Sequence, residues 1–242
     1  MKLRIFQKGF NFSQDGPGNR LVYHLQGCNL RCPWCSNPEG LCYDGGTEYE
    51  VAEIVEEVRR SSLMFFDGGG VTLTGGEVAM QLDAVKELFS ALKAEGIDTC
   101  IETNGTNPRL PELYPLIDHL IMDIKHYDSA KHQAVTGIPN DVTVQNIRAA
   151  IEQGRELSLR IPLIGGFNAD AEDAQGFAEL LTALGVPGHA TLEVLTYHEY
   201  GKDKYARLGL PYTMDERARI QPEKLREFKN ILTAAALTLV KT

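Results

Sequence analysis

Three cysteines stand within eight residues, in the run Gly27-Cys28-Asn29-Leu30-Arg31-Cys32-Pro33-Trp34-Cys35. The spacing is Cys-x3-Cys-x2-Cys, with an aromatic residue just before the last sulfur. Thiolates this close can grip one face of an iron–sulfur cluster. Four cysteines saturate a cubane [4Fe–4S] cluster, so three leave one iron open to a group that the protein does not supply. An open iron can bind a cofactor and pass it one electron. Zinc is the competing metal. It closes four Cys or His ligands around one ion, and His24, Cys42 and Cys100 are candidates for the fourth place. A disulfide framework fits less well, because five cysteines is an odd count and the N-terminus lacks the apolar core of an export signal.

These residues need elements to hold them. At 242 residues the chain reads as one α/β domain with a core large enough to need no staples. Apolar residues at 43% and charged residues at 24% fit a soluble globular protein, and no apolar run is long enough to span a membrane. A formal charge of -9 argues against a nucleic-acid surface. Reduced thiols point to the cytoplasm.

Strand-like runs alternate with helical ones. Strands are expected at 21–26, 71–74, 97–102, 119–124, 157–164, 191–195 and 237–240. Thr47-Glu48-Tyr49-Glu50 reads as a capping box with Thr47 as N-cap. It would open a helix through Val51, Ile54, Val55 and Val58. Further helices are expected near 80–95, 129–135, 141–153, 171–184 and 222–235. About six βα units predict a parallel sheet with helices outside, a partial barrel in which function gathers at the C-terminal strand ends. The cysteine loop, Gly75-Gly76-Glu77, Thr103-Asn104-Gly105, Asp123-Ile124-Lys125 and Tyr197-His198 all fall at such ends.

Taken one at a time, several of these are ordinary. Gly-Gly and Asn-Gly are turn signals, and a lysine at a strand end is usually solvated. Arg160 differs, since a charge among apolar strand residues must be paired or reach a polar cavity. Taken together, the cysteine run, Gly68-Gly69-Gly70-Val71-Thr72, Gly75-Gly76-Glu77, Glu102-Thr103-Asn104-Gly105, Asp123-Ile124-Lys125, Tyr197-His198-Glu199-Tyr200-Gly201-Lys202 and Asp15-Gly16-Pro17-Gly18-Asn19-Arg20 resemble the radical S-adenosylmethionine (radical SAM) family. Within it they resemble the enzymes that activate glycyl radical enzymes. The similarity runs in order from Asp15 to Lys202.

The resemblance implies a partial (β/α)6 TIM-like barrel of the radical SAM type, a single domain over 1–242. The segment 1–20 would pack at the barrel edge, and no ferredoxin-like insert is expected. It implies a [4Fe–4S] cluster on Cys28, Cys32 and Cys35, with S-adenosylmethionine on the open iron. Its reduced cluster cleaves the sulfonium and yields a 5′-deoxyadenosyl radical, which takes a hydrogen from a glycine of a partner glycyl radical enzyme. Cofactor contacts are implied for Trp34, Asn37, Gly75, Gly76, Glu77, Asn104, Lys125, Arg160 and His198. A monovalent cation (Na+ or K+) is implied at Glu102, Thr103 and Asp123, although Glu102 stands where the family pattern has aspartate. Asp15 would contact the substrate peptide, and Asn19 stands where the family pattern is apolar. A flavodoxin or ferredoxin would supply electrons. Two alternatives remain: another radical SAM reaction on a peptide or small molecule, and a zinc-stabilised interaction module.

Overall fold

The computed structural model describes residues 1–240, and these form two compact units. The first contains residues 1–29, 39–103 and 107–121, and the second 30–38, 104–106 and 122–240.

In the first unit, β1 (Lys2–Phe12) runs antiparallel to β2 (Asn19–Leu25), and β3 (Thr47–Glu50) covers the outer edge of β1 only from Lys2 to Ile5. β1 was not expected from the sequence. Its inward residues are just Leu3 and Ile5, and from Gln7 to Phe10 every residue is exposed, so it carries little periodic signal. The opposite holds for β2, buried on nearly every residue, as a strand with helix or loop on both faces must be.

Thr47 is not a helix cap. Thr47–Glu50 extends along β1, and α1 (Val51–Ser61) starts three residues later than the sequence suggests, with Glu50 as N-cap and Glu53 completing the box. The Thr-x-x-Glu pattern lost to a free strand edge, and Glu-x-x-Glu did the capping. The four predicted apolar positions of α1 are all buried. β4 (Gly70–Gly75) follows, then a 3-10 turn (Val78–Gln81) and α2 (Leu82–Ala94), so the helix expected from Met80 begins as a tighter turn. α2 buries Leu82, Val85, Leu88, Phe89 and Leu92, each contributing about 1.5–3 kcal/mol. β5 (Asp98–Thr103) and β6 (His119–Asp123) close the unit. β2, β4 and β5 are mutually parallel.

β6 ends in the second unit. There α3 (Ser129–Thr136) is capped by the Asp128 carboxylate and stopped by Gly137 at φ 95°, and α4 (Asp141–Glu152) follows. β7 (Leu157–Leu163), α5 (Ala171–Ala183), β8 (Ala190–Thr196), α6 (Lys202–Arg207), α7 (Pro222–Ala234) and β9 (Thr238–Leu239) complete the chain. β7, β8 and β9 are parallel. The strands are hydrogen-bonded in the order β3-β1-β2-β4-β5-β6-β7-β8-β9. From β2 to β8 the order is sequential, which is the α/β architecture the alternation predicts. No helix among the described residues is long and apolar enough to cross a membrane.

Candidate active site

In the first unit the parallel strands bring their C-terminal ends to one side. β2 runs into Gln26, Gly27 and Cys28, and Gly27 adopts φ 96°. The turn after β4 lies directly on this stretch: Gly76 N–H donates to the Leu25 carbonyl at 2.8 Å, and Glu77 N–H to the Gly27 carbonyl at 2.7 Å. A Cβ on Gly75 would meet the Leu25 nitrogen at 2.4 Å, and one on Gly76 the Gly27 oxygen at 2.3 Å. Glycine is required here because two backbones touch, which mounts the approach to Cys28 on the Gly75-Gly76-Glu77 turn.

Glu77 is 1% exposed. Its Oε1 accepts the Ala79 N–H at 2.9 Å and the Thr103 hydroxyl at 2.6 Å. Beside it, the Thr74 hydroxyl donates to Glu102 Oε2 at 2.9 Å. The structure thus pairs Glu77 with Thr103 and Glu102 with Thr74, and Thr74 is a partner that the motifs did not reveal. Thr74 and Glu102 share a face of neighbouring strands, and that pairing was the available signal. One pleat back on the same face, the Thr72 hydroxyl donates to the Asp15 carbonyl at 2.6 Å. The Asp15 carboxylate accepts from the Asn11 amide.

In the second unit, Cys35 N–H donates to the Cys32 carbonyl at 3.2 Å, tightening the turn that carries both sulfurs. Arg31 N–H anchors the turn to the Thr136 carbonyl at 2.8 Å. A Cβ on Gly201 would meet the Cys35 carbonyl at 2.3 Å, so the segment entering α6 presses on this turn. Burial, then Cys35 and Cys32, push the Tyr205 phenol up to about 12. Tyr205 is a neighbour of the sulfurs that no motif flagged.

Trp34 lies tilted against Phe167, ring centres 5.1 Å apart, and packs with Ile164, Tyr197 and Met214. Asn37 Oδ1 accepts from the Lys204 ammonium at 2.9 Å. Asn104 caps its own turn, taking Thr106 N–H at 3.0 Å and the Thr106 hydroxyl at 2.7 Å on Oδ1. Lys125, 8% exposed, donates to Asp123 Oδ2 at 2.8 Å. Arg160 Nε donates to Glu193 Oε2 at 2.6 Å, across the β7–β8 register. The charge isolated in a strand therefore has a partner, and Glu193 is equally conspicuous between Leu192 and Val194. His198 stacks on Tyr200 at 4.1 Å beside a small pocket lined by Tyr197, His198, Glu199 and Arg219. Burial holds its pKa below the usual imidazole range.

None of the five cysteines is in a disulfide, and Cys28 and Cys32 are buried. Among the described residues, no three His, Cys, Asp or Glu side chains are placed to hold a single metal ion. The suggested fourth zinc ligands sit in other surroundings: His24 against the Phe6 ring, Cys42 bonded to Gln26 and Asp44, and Cys100 beside Gly16. A cubane offers separate irons to separate thiolates. The donor set on hand, three cysteines within eight residues of sequence and in no disulfide, fits that group.

Residues 22–179 match the Radical SAM superfamily. The chain is 32% identical to the pyruvate formate-lyase 1-activating enzyme of Escherichia coli over 90% of both chains. It is 34% identical to the pyruvate formate-lyase-activating enzyme of Staphylococcus epidermidis over 88% of each. A solved domain of the Bacteroides vulgatus pyruvate-formate lyase-activating enzyme superposes with a TM-score of 0.58 at 28% identity, covering 71% of this chain and 98% of that one.

Proposed function

This chain belongs to the radical SAM superfamily, and on that premise we propose that it activates a glycyl radical enzyme. It reductively cleaves S-adenosylmethionine and removes an α-hydrogen from one glycine of the partner, pyruvate formate-lyase or a relative. The observation that carries this reading is similarity along nine-tenths of both chains to an activating enzyme, in a chain whose β2 runs into Cys-x3-Cys-x2-Cys.

The bound [4Fe–4S] cluster supplies the electron for the cleavage. Cys28, Cys32 and Cys35 would hold it, and three thiolates would leave a place for S-adenosylmethionine. The Glu77 carboxylate accepts from the amino group of S-adenosylmethionine, and the Thr103 hydroxyl, which donates to that carboxylate, fixes it in place. Gly75 and Gly76 let the backbone approach closely. Lys125 and Arg160 serve the carboxylate end, since a guanidinium can clamp a carboxylate bidentately and an ammonium has three donors, enough to keep Asp123 as well. Trp34 offers a ring face to adenine, Asn37 bonds the adenosine, and Asn104 and His198 complete the cofactor contacts. Glu102, Thr103 and Asp123 hold a monovalent cation. The longer Glu102 side chain is supported by its bond from Thr74.

Asp15 meets the substrate peptide. The chain has no second cysteine block, and a flavodoxin or ferredoxin would supply the electron. Cysteines held in no disulfide suit the reducing cytoplasm.

Anaerobic incubation with pyruvate formate-lyase, followed by electron paramagnetic resonance, tests the reading. A glycyl signal on the partner is expected. Turnover with a small molecule and none with any glycyl-loop protein would move the chain to another radical SAM reaction.

A further inference from the structure

Arg20 is 0% exposed, the largest of the fully buried side chains. A buried guanidinium costs several kcal/mol unless its donors are satisfied, and here each N–H has an acceptor. Nε donates to the Thr72 hydroxyl at 2.7 Å, and Nη1 to the Pro17 and Gly68 carbonyls at 3.1 and 3.3 Å. Nη2 donates to the Val71 carbonyl at 3.0 Å and Asp98 Oδ1 at 2.7 Å. The other Asp98 oxygen lies 3.1 Å from His119 Nε2. One side chain therefore ties the starts of β2, β4 and β5 to the 13–18 loop.

The same bonds form a directed relay. Asp98 holds the guanidinium, the guanidinium donates to the Thr72 hydroxyl, and that hydroxyl donates onward to the Asp15 carbonyl at 2.6 Å. The hydroxyl accepts once and donates once, so its proton has a single direction. The loop has little room to choose another path. A Cβ on Gly16, at φ 113°, would meet the Arg20 side chain and Cys100 Sγ at 3.1 Å. One on Gly18, at φ 68°, would meet the Gly69 nitrogen and the Phe66 oxygen at 2.4 Å.

We propose that Arg20 and Thr72 are positioning residues for substrate-peptide recognition: the Asp98–Arg20–Thr72 relay sets the backbone at Asp15 so that its carboxylate is presented to the glycyl loop. This rests on the proposed peptide contact at Asp15. It adds the elements that aim the contact, and it predicts that they act on peptide affinity without acting on the cofactor.

Thr72 is the cleaner site to vary, because Arg20 substitutions threaten the fold. Thr72→Val keeps the shape and removes the hydroxyl, whereas Thr72→Ser keeps the hydroxyl. In the reconstituted enzyme, Thr72→Val should raise KM for a glycyl-loop peptide roughly fivefold to tenfold, the loss expected from one hydrogen bond, with kcat and peptide-independent S-adenosylmethionine cleavage at wild-type values. Thr72→Ser should restore KM. Amide exchange across residues 15–19, measured with no partner present, should speed up in Thr72→Val and not in Thr72→Ser. Wild-type KM and exchange in Thr72→Val, or equal losses in both variants, would overturn the relay. Asp15→Ala separates the two readings. If it raises KM while Thr72→Val does not, the relay alone fails. If Thr72→Val speeds exchange while Asp15→Ala leaves KM unchanged, the peptide contact fails and takes the recognition role with it.

Discussion

At the residue scale, the three cysteines make the sharpest commitment. Cys28→Ala, Cys32→Ala or Cys35→Ala should each remove the brown colour and iron of the reconstituted protein, and Cys42→Ala or Cys100→Ala should not. Colourless protein with stoichiometric zinc would count against the cluster. The Glu77 carboxylate accepts from Ala79 and Thr103, besides the cofactor contact proposed for it. Glu77→Ala should therefore weaken S-adenosylmethionine binding with the cluster intact and also cost about 1–3 kcal/mol of stability from stranded donors. Equal affinity and equal urea midpoint would refute both halves. The motif residues were legible because chemistry fixes their types and spacing. Thr74, Tyr205 and Glu193 were not, because their roles come from the register of neighbouring strands and from a helix pressed on the cysteine turn, which no local spacing encodes.

At the element scale, the contact between the β4 turn and the stretch after β2 invites a test. Gly76→Ala places a methyl against the Gly27 and Gly40 oxygens at 2.3 and 2.7 Å. It should depress cluster incorporation and thermal stability together, although it touches no ligand. Normal iron loading with an unchanged Tm would show that the backbones can part. Acid should act on the second unit. Burial lowers the pKa of His126, His132 and His198, with Asp173 opposing the shift at His126. The folded state then refuses protons that the unfolded chain accepts below a pH of about 6.5, so stability falls as pH drops through that value. A urea midpoint flat between neutral pH and weak acid would contradict this, and His132→Gln should shallow the slope. The βα alternation was readable because buried strands and amphipathic helices carry strong periodicity. β1 and β3 were not, because edge strands half in solvent carry almost none.

At the scale of the whole molecule, one cluster per chain is expected, about four irons with three thiolate ligands and one open site. Glycine-deuterated peptide should place deuterium in the 5′-deoxyadenosine produced. Absence of label, with turnover intact, would mean that the hydrogen comes from elsewhere. The fold class was legible in the order of elements. The division into two compact units was not, since it is set by contacts between distant segments.

The outer edge of β1 beyond Ile5 has a practical meaning for anyone handling the protein. Phe10 and Phe12 are 45% and 52% exposed, leaning on Phe65 and Phe66, and β3 covers the strand only as far as Ile5. Bare backbone donors and acceptors beside large aromatic rings are a template for edge-to-edge growth. Concentrated stocks should cloud through this hairpin first, so light scattering should rise more slowly for Phe10→Lys than for the parent.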